Sequence, residues 1–374
     1  PYQSVFGTEQ GYFLFDGTRY PTGIVTPSLI NPELTWEKST TKNLGFDFTF
    51  LQNRLTFCAD IFERKVTDIL IPGGKDYPAL IGDDNLPFEN AGVLKTTGFE
   101  LQAKWSDKLS NGFAYSVGVA LSDDKAEVLS YPSNPTNKIG DGVLYKGYTV
   151  GDIWGYETGG ILQESDFDGV GPNGKPLYHG AYFKGGQPYP GYVWYQDLDH
   201  DGVITSGLST VDDPGDKKVI GNNAPRYRYN ITANFQYKGF DLDLMFQGVG
   251  KRDYWLKDVS SYWGGGAGSW ETYNQSWTPE RTDAKFPMYG SGIGSYAQSG
   301  YLLDASYIKL KQVILGYTFP KALIGKVGLE KLRLNIAAYN LFTLSDVPKY
   351  YDSDYLSDAY PPKRTFSVGI QVGF

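Results

Sequence analysis

Hydrophobic and polar positions alternate with a period of two in about nine stretches of the chain, which is the signature of extended strands whose successive side chains point to opposite faces. The last stretch shows it most plainly. In TFSVGIQVGF, Phe366, Val368, Ile370, Val372 and Phe374 share one face, while Thr365, Ser367, Gly369, Gln371 and Gly373 share the other. Leu44, Phe46, Phe48 and Phe50 alternate with Asn43, Gly45, Asp47 and Thr49, and a polar turn near Gln52 and Asn53 leads to Leu55, Phe57, Ala59 and Ile61. A second hairpin joins the stretch Phe99 to Trp105 to the stretch Phe113 to Leu121 through SDKLSNG. A third turns at Lys238 and Gly239, between Tyr227 to Tyr237 and Phe240 to Gln247, and here the polar face carries Arg226, Arg228, Asp241 and Asp243. Val313 to Phe319 and Leu332 to Ala338 supply the remaining two strands.

A greasy face can point at a soluble core or at lipid, so alternation alone leaves both a soluble all-β fold and a membrane barrel open. The connections favour one of them. Counted back from the C-terminus, long and short connections strictly take turns, as they do in an outer-membrane barrel with short periplasmic turns and long extracellular loops. The expected fold is therefore all-β: an antiparallel transmembrane β-barrel, multi-pass in the outer membrane. The loops around Tyr254 to Gly300 and Gly140 to Asn222 should lie outside and SDKLSNG inside, with Leu244 toward lipid and Asp243 toward the lumen.

Composition agrees with this reading and removes several function classes. The 374 residues include 30 Tyr, 21 Phe and 46 Gly but only 2 Met, and aromatics reach 16% beside 20% charged residues. No run approaches the roughly 18 apolar residues of a spanning helix. The net charge of -8 and the scattered Lys and Arg give no footprint for nucleic acid. Cys58 stands alone and there are 2 His, so neither a disulfide framework nor a Cys-based zinc site is expected. The opening PYQSVFGTEQ has no basic n-region or apolar h-region, and a mature terminus, a cleavage product or a shortened chain all fit it. Catalysis is not expected. GSGIGS at Gly290 to Ser295 and the run Gly264 to Gly266 lack the strand, the helix and the GK[ST] of a phosphate loop, and the acidic stretches show no catalytic spacing.

Two features carry binding chemistry. The long connections mix Trp, Tyr, Gly and Asn, as adaptable binding rims do. Trp154, Tyr156, Trp255, Trp263, Trp270 and Trp277 are the candidate substrate contacts, because flat rings stack on the apolar faces of sugars and on peptide side chains. An aromatic girdle or ordinary loop packing would use the same residues. The second feature is DLDHDGVIT. Asp197, Asp199 and Asp201, with Gly202 at the sixth position, the Val203 carbonyl and Thr205 at the ninth, follow the calcium-loop pattern D-x-[DN]-x-[DN]-G. Leu208 replaces the bidentate Glu of that pattern, so the expected affinity is weak unless Asp212, Asp213 or Asp216 folds back to complete the shell. An empty Asx-turn loop is the alternative.

NPELTWEKSTTKNLGFDFTFLQNRLTFCADIFERKVTDIL, ENAGVLKTTGFELQAKW, WYQDLDHDGVIT, KKVIGNNAPRYRYNITANFQYKGFDLDLMFQGVGKRD, ASYIKLKQVILGYTFP, LRLNIAAYNLFTLSD and the terminal TFSVGIQVGF resemble, in order and over nearly the whole chain, the C-terminal barrel half of SusC/RagA-type TonB-dependent outer-membrane transporters. The resemblance implies import of glycans or oligopeptides through a large plugged barrel, with contacts to TonB, to a SusD-like surface lipoprotein and to outer-membrane lipid. Such barrels have about 22 strands, whereas about nine use up this chain. Residues 1–374 are therefore expected to be the C-terminal portion of the barrel, pairing with the remainder of the same transporter, which holds the plug and the N-terminal strands. A soluble or surface-attached all-β glycan-binding module is the alternative from another class.

Overall fold

A computed structural model describes residues 7–15, 18–25, 31–73, 87–255, 273–291, 296–348, 351–356 and 362–374. Its main feature is one antiparallel sheet of nine strands: β1 (Lys38–Phe50), β2 (Leu55–Pro72), β3 (Phe88–Lys108), β4 (Ala114–Ser130), β5 (Arg226–Tyr237), β6 (Phe240–Lys251), β7 (Tyr307–Thr318), β8 (Lys331–Ser345) and β9 (Thr365–Gly373). The spatial order is the chain order, so the sheet is a meander. A separate hairpin, Gly7–Phe15 with Thr18–Val25, precedes it and was not expected from the alternation.

Register shows why these strands form a wall. Phe50, Leu55, Trp105, Val117, Ala233, Leu244, Val313, Ala338 and Phe366 stand side by side across all nine strands. One residue away on the other face run Thr49, Thr56, Lys104, Gly118, Thr232, Met245, Gln312, Tyr339 and Thr365. A slip of one residue in any strand would break both rows, so the pattern pins the register. Among the described residues nothing covers this apolar face on the last strand: Phe366, Val368 and Ile370 remain 68%, 76% and 68% exposed. The polar face is cross-linked instead. Arg333 on β8 pairs with Asp241 on β6 across the intervening β7, and Gly316 makes the space, since a Cβ there would meet both side chains. Asn234 donates to Asp243 (2.5 Å) and Ser116 donates to Asn234 (2.9 Å).

Short connections gather on one rim. Leu51, Gln52 and Asn53 take left-handed backbone between β1 and β2, and Lys238 (φ 46°) with Gly239 (φ 88°) closes the β5–β6 hairpin in the double left-handed turn that suits twisted strands. The other two join β3 to β4 and β7 to β8. The long connections leave from and return to the opposite rim. Among the described residues, the outer edges of β1 and β9 have no strand partner, so the sheet is open.

Candidate functional site

Among the described residues, the buried apolar clusters lie in the long connections and in the strand ends beside them. Val128, Ile139, Tyr145 and Tyr148 form one buried cluster, with Trp154 packed against it. Tyr156, Val193, Tyr195 and Ile204 form another, with Phe183 and Tyr301 against it. Short strands frame these clusters: Asp152–Tyr156 pairs with Lys217–Asn222, and Thr158–Ile161 with Val193–Tyr195. The connection after β6 packs onto the same layer. The Tyr156 amide donates to the Ala297 carbonyl (2.9 Å), and the fully buried Gln298 donates to the Tyr195 hydroxyl (3.1 Å). Burial pushes the Tyr156 phenol up to about 12 and Tyr195 higher still, so both stay neutral and serve as packing and hydrogen-bonding groups.

The expected aromatic contacts are distributed through this layer rather than along one surface. Tyr156 and Trp277 are each only 3% exposed, and the Trp277 indole donates to Gln163 (2.9 Å). Trp154 is half-buried and donates to the Tyr145 hydroxyl (3.0 Å), while Trp255 is half-buried in a short strand paired with Leu302–Asp304. Trp263 and Trp270 lie outside the described residues. An aromatic cleft that the sequence reading passed over opens nearby, lined by Tyr178, Tyr182, Phe183, Tyr192 and Trp194. Trp194 lies across Gly159 and Gly160, where a Cβ on Gly159 would land on the indole. The Gly-Gly pair is the sequence signal that could have flagged it.

The acidic loop brings together a different set from the one its spacing suggests. Carboxylate oxygens of Asp197, Asp199 and Asp216 lie within 4.8 Å of one another. Asp216 is fully buried and accepts the amides of Leu198 (2.7 Å) and Thr205 (2.7 Å), which folds the loop around it. Asp201 stays outside the cluster because its carboxylate accepts the Val203 amide (2.8 Å) in an Asx turn. Asp197 accepts His200 (2.7 Å) and Gly202 (2.9 Å). Partial desolvation opposes ionisation of both Asp197 and Asp199. Backbone hydrogen bonds from Gly202 and His200 more than offset it at Asp197, which ends below the usual carboxylate value, whereas Asp199, facing Asp216 and Asp201, ends above it.

At the mouth of the sheet, the loop after β8 folds back over the polar face. Lys309, buried on β7, donates to Asp352 (2.8 Å) and Asp354 (2.8 Å), and Lys311 lies 3.6 Å from Asp354.

Comparison with known proteins agrees with this architecture. Residues 2–341 match the family described as "TonB dependent receptor-like, beta-barrel". The chain is 27% identical to TonB-dependent receptor P3 of Formosa agariphila over 100% of its own length and 38% of the relative's. It is 26% identical to TonB-dependent receptor SusC of Bacteroides thetaiotaomicron over 99% of its length and 35% of the relative's. The chain thus spans little more than a third of these curated relatives. Its fold superposes on the RagAB peptide transporter with a TM-score of 0.73 at 20% identity, covering 100% of this chain and 38% of that one. The family is one of outer-membrane receptors rather than enzymes. An outward apolar row across nine strands, long connections at one rim and the family match lead to one assignment: this chain belongs to the TonB-dependent receptor β-barrel family.

Proposed function

We propose that the chain forms the C-terminal wall and substrate-capturing loops of a SusC-like importer that carries glycans or oligopeptides across the outer membrane. The observation that carries the reading is the apolar row, continuous in register over nine strands and nowhere buried, above which the long loops assemble a layer of their own. Open edges cannot stand in lipid, so β1 and β9 pair with the remainder of the same transporter, which supplies the plug and the segment that TonB engages. A SusD-like lipoprotein closes over the loop layer. Substrate is held between loop aromatics, Trp154 and Trp255 from the expected set and Tyr182 and Trp194 from the cleft, and no bond is made or broken. The acidic loop takes a calcium ion weakly, with Asp216 joining Asp197, Asp199 and the Val203 carbonyl in place of Asp201, and Thr205 beside them. Calcium should slow proteolysis of the loop in the wild type and not in Asp199→Ala.

Fractionation and uptake test the main reading together. The full-length protein should sediment with outer membranes, require detergent for extraction, and support uptake of labelled oligosaccharides or peptides only when TonB is present. A protein that stays soluble without detergent would instead fit a soluble or surface-attached glycan-binding module.

A further inference from the structure

The lipid-facing side of the wall changes character toward the loop rim. On β1 to β4 the row Leu44, Ile61 and Phe99 is followed, on the same face, by two further rows in register: Lys42, Glu63, Thr97 and Lys125, then Thr40, Lys65, Lys95 and Glu127. Pairing runs without a shift from Leu55 to Val66, so Lys65 keeps the face of Leu55 and Phe57. Lys42, Lys65 and Lys125 are exposed and Lys95 is half-buried. The loop layer lies on the opposite face, where Leu94 and Val128 join its first apolar cluster. The remainder of the transporter does not reach the lysines either. A plug lies on the lumen side, further strands join at the free edges of β1 and β9, and β2, β3 and β4 each have a neighbour on both sides.

Height decides what this patch meets. Leu55 opens β2 beside the short turn, and Lys65 follows it by ten positions. At about 3.3 Å per residue and a tilt of about 40°, Lys65 stands about 25 Å above Leu55, which is about the height of the apolar band of an outer-membrane barrel. Long connections mark this rim as the extracellular one, so the lysines stand at the headgroups of the outer leaflet. Their charges are not balanced within the chain. Lys65 and Lys95 are directly opposed, an arrangement that destabilises a sheet, and Lys42 and Lys125 flank them on the diagonals at about 7 to 8 Å. Glu63 is engaged by Lys42 (3.8 Å), Glu127 stands beside Lys95, and Asp123, one row nearer the hydrocarbon, is taken up by Arg226. Among the described residues, Lys65, Lys95 and Lys125 have no ion-pair partner. A phosphate group accepts charge-assisted hydrogen bonds from several ammonium groups at once, which turns this repulsion into attraction. The lysines spread over four strands, about 14 Å at about 4.8 Å per strand, so a headgroup with phosphates on a sugar scaffold spans them better than a single phosphate does.

We propose that this patch binds a phosphorylated glycolipid of the outer leaflet, with Lys65 and Lys95 sharing one phosphate, Lys125 holding a second and the Thr97 hydroxyl donating to the sugar between them. The site rests on the membrane placement of the barrel and is independent of what the barrel imports. In the test, the full-length transporter with its native partners is titrated in detergent with diphosphorylated lipid A, its dephosphorylated form, phosphatidylglycerol and pyrophosphate, and bound molecules are counted by native mass spectrometry. Wild type should bind diphosphorylated lipid A roughly tenfold or more tighter than the other three. A lysine at a charged membrane surface contributes about fivefold in affinity, so Lys95→Gln should weaken lipid A about fivefold and the double variant Lys65→Gln, Lys95→Gln roughly tenfold or more. The double variant Lys65→Arg, Lys95→Arg should keep most of the binding, and Lys104→Gln, on the lumen face of β3, should change nothing. Heat-dependent gel migration shows that each variant is folded. Equal binding by wild type and the Gln double variant overturns the proposal, as does equal binding of the dephosphorylated lipid, of phosphatidylglycerol or of pyrophosphate. Loss of a partner protein from the Gln double variant with lipid binding intact also overturns it, since the patch would then serve a protein. A protein that stays soluble without detergent would defeat the membrane placement, whereas a folded, inserted barrel with unchanged lipid binding defeats the site alone.

Discussion

The wall and the loop layer are built from one chain on opposite rules. In the wall, side chains such as Val368 and Ile370 are exposed and charged residues stand on the opposite face, tied by Arg333–Asp241 and by Asn234–Asp243. In the loop layer, Tyr156, Ile204 and Trp277 are enclosed while charged side chains such as Asp168, Lys175 and Lys184 are exposed, and the buried Asp216 is held by backbone amides. The hydrophobic effect is the same in both places; what differs is the solvent beyond the surface, hydrocarbon for the wall and water for the loops. The difference also separates two sources of order. The wall is held by strand ladders, and the loops by their own small apolar cores and by anchors such as Lys309.

Breaking that anchor should have the largest effect. Lys309→Met takes from Asp352 and Asp354 their closest cation, leaving Lys311 and Arg252 near Asp354, and removing one partner of a buried ion pair costs about 3 to 5 kcal/mol. Hydrogen exchange in residues 351–356 should accelerate sharply while exchange in the β5–β6 ladder stays slow. If both accelerate together, wall and loop are not independent.

The next test concerns the two faces. Val313 stands in the apolar row and Gln312 in the polar one. Val313→Lys should cost about 2 to 4 kcal/mol in membrane insertion, whereas Gln312→Lys should cost about 1 kcal/mol or less. Urea titrations in liposomes that gave equal losses would erase the distinction between lipid and lumen.

Inside the loop layer the expected effect is smaller. Gly159→Ala drives a methyl into the Trp194 ring, an overpacking worth about 1 to 3 kcal/mol. Tryptophan fluorescence should report a displaced, more solvated indole, with barrel melting unchanged.

Acid should act last and locally. Desolvation opposes ionisation of Asp354, but Lys309 and Tyr307 hold its carboxyl below the ordinary value of 3.8. A depressed folded value gives stability that is complete above 3.8 and is lost as the pH falls through the lower folded value. Protease cutting within 351–356 should therefore stay constant from neutral pH down to the ordinary value and rise only below it.

How much of this was legible in the sequence follows from the same contrast. The nine strands could be found because lipid on one side imposes strict alternation. Their full lengths could not: β2 runs to Pro72 and β3 starts at Phe88, well beyond the alternating stretches. There Glu63, Arg64 and Lys65 pair with Thr97, Thr96 and Lys95, polar on both faces, because neither side meets hydrocarbon any longer. The turn at Lys238 and Gly239 was readable because two alternating runs meet there with only two residues between them, and Gly239 suits the left-handed backbone of such a turn. In the loops, sequence distance misleads. The spacing of DLDHDG pointed to Asp201, and of the three later acids named as able to fold back it is Asp216 that closes the cluster, a choice that no local pattern encodes. Tyr156 and Trp277 read as a binding rim because aromatic loop residues serve packing and recognition alike, and only burial separates the two roles.

The central claim, that the sheet is a membrane wall with lipid on its apolar face, is tested most directly by spin labels placed singly at each position from Phe240 to Gln247 in the full-length protein in liposomes. Oxygen, which concentrates in hydrocarbon, should relax the labels at 240, 242, 244 and 246, and a water-soluble nickel chelate those at 241, 243, 245 and 247. Two opposed oscillations of period two are the predicted result. A nickel profile that is high at every position, or an oxygen profile that peaks on the Asp241 and Asp243 face, would contradict the account.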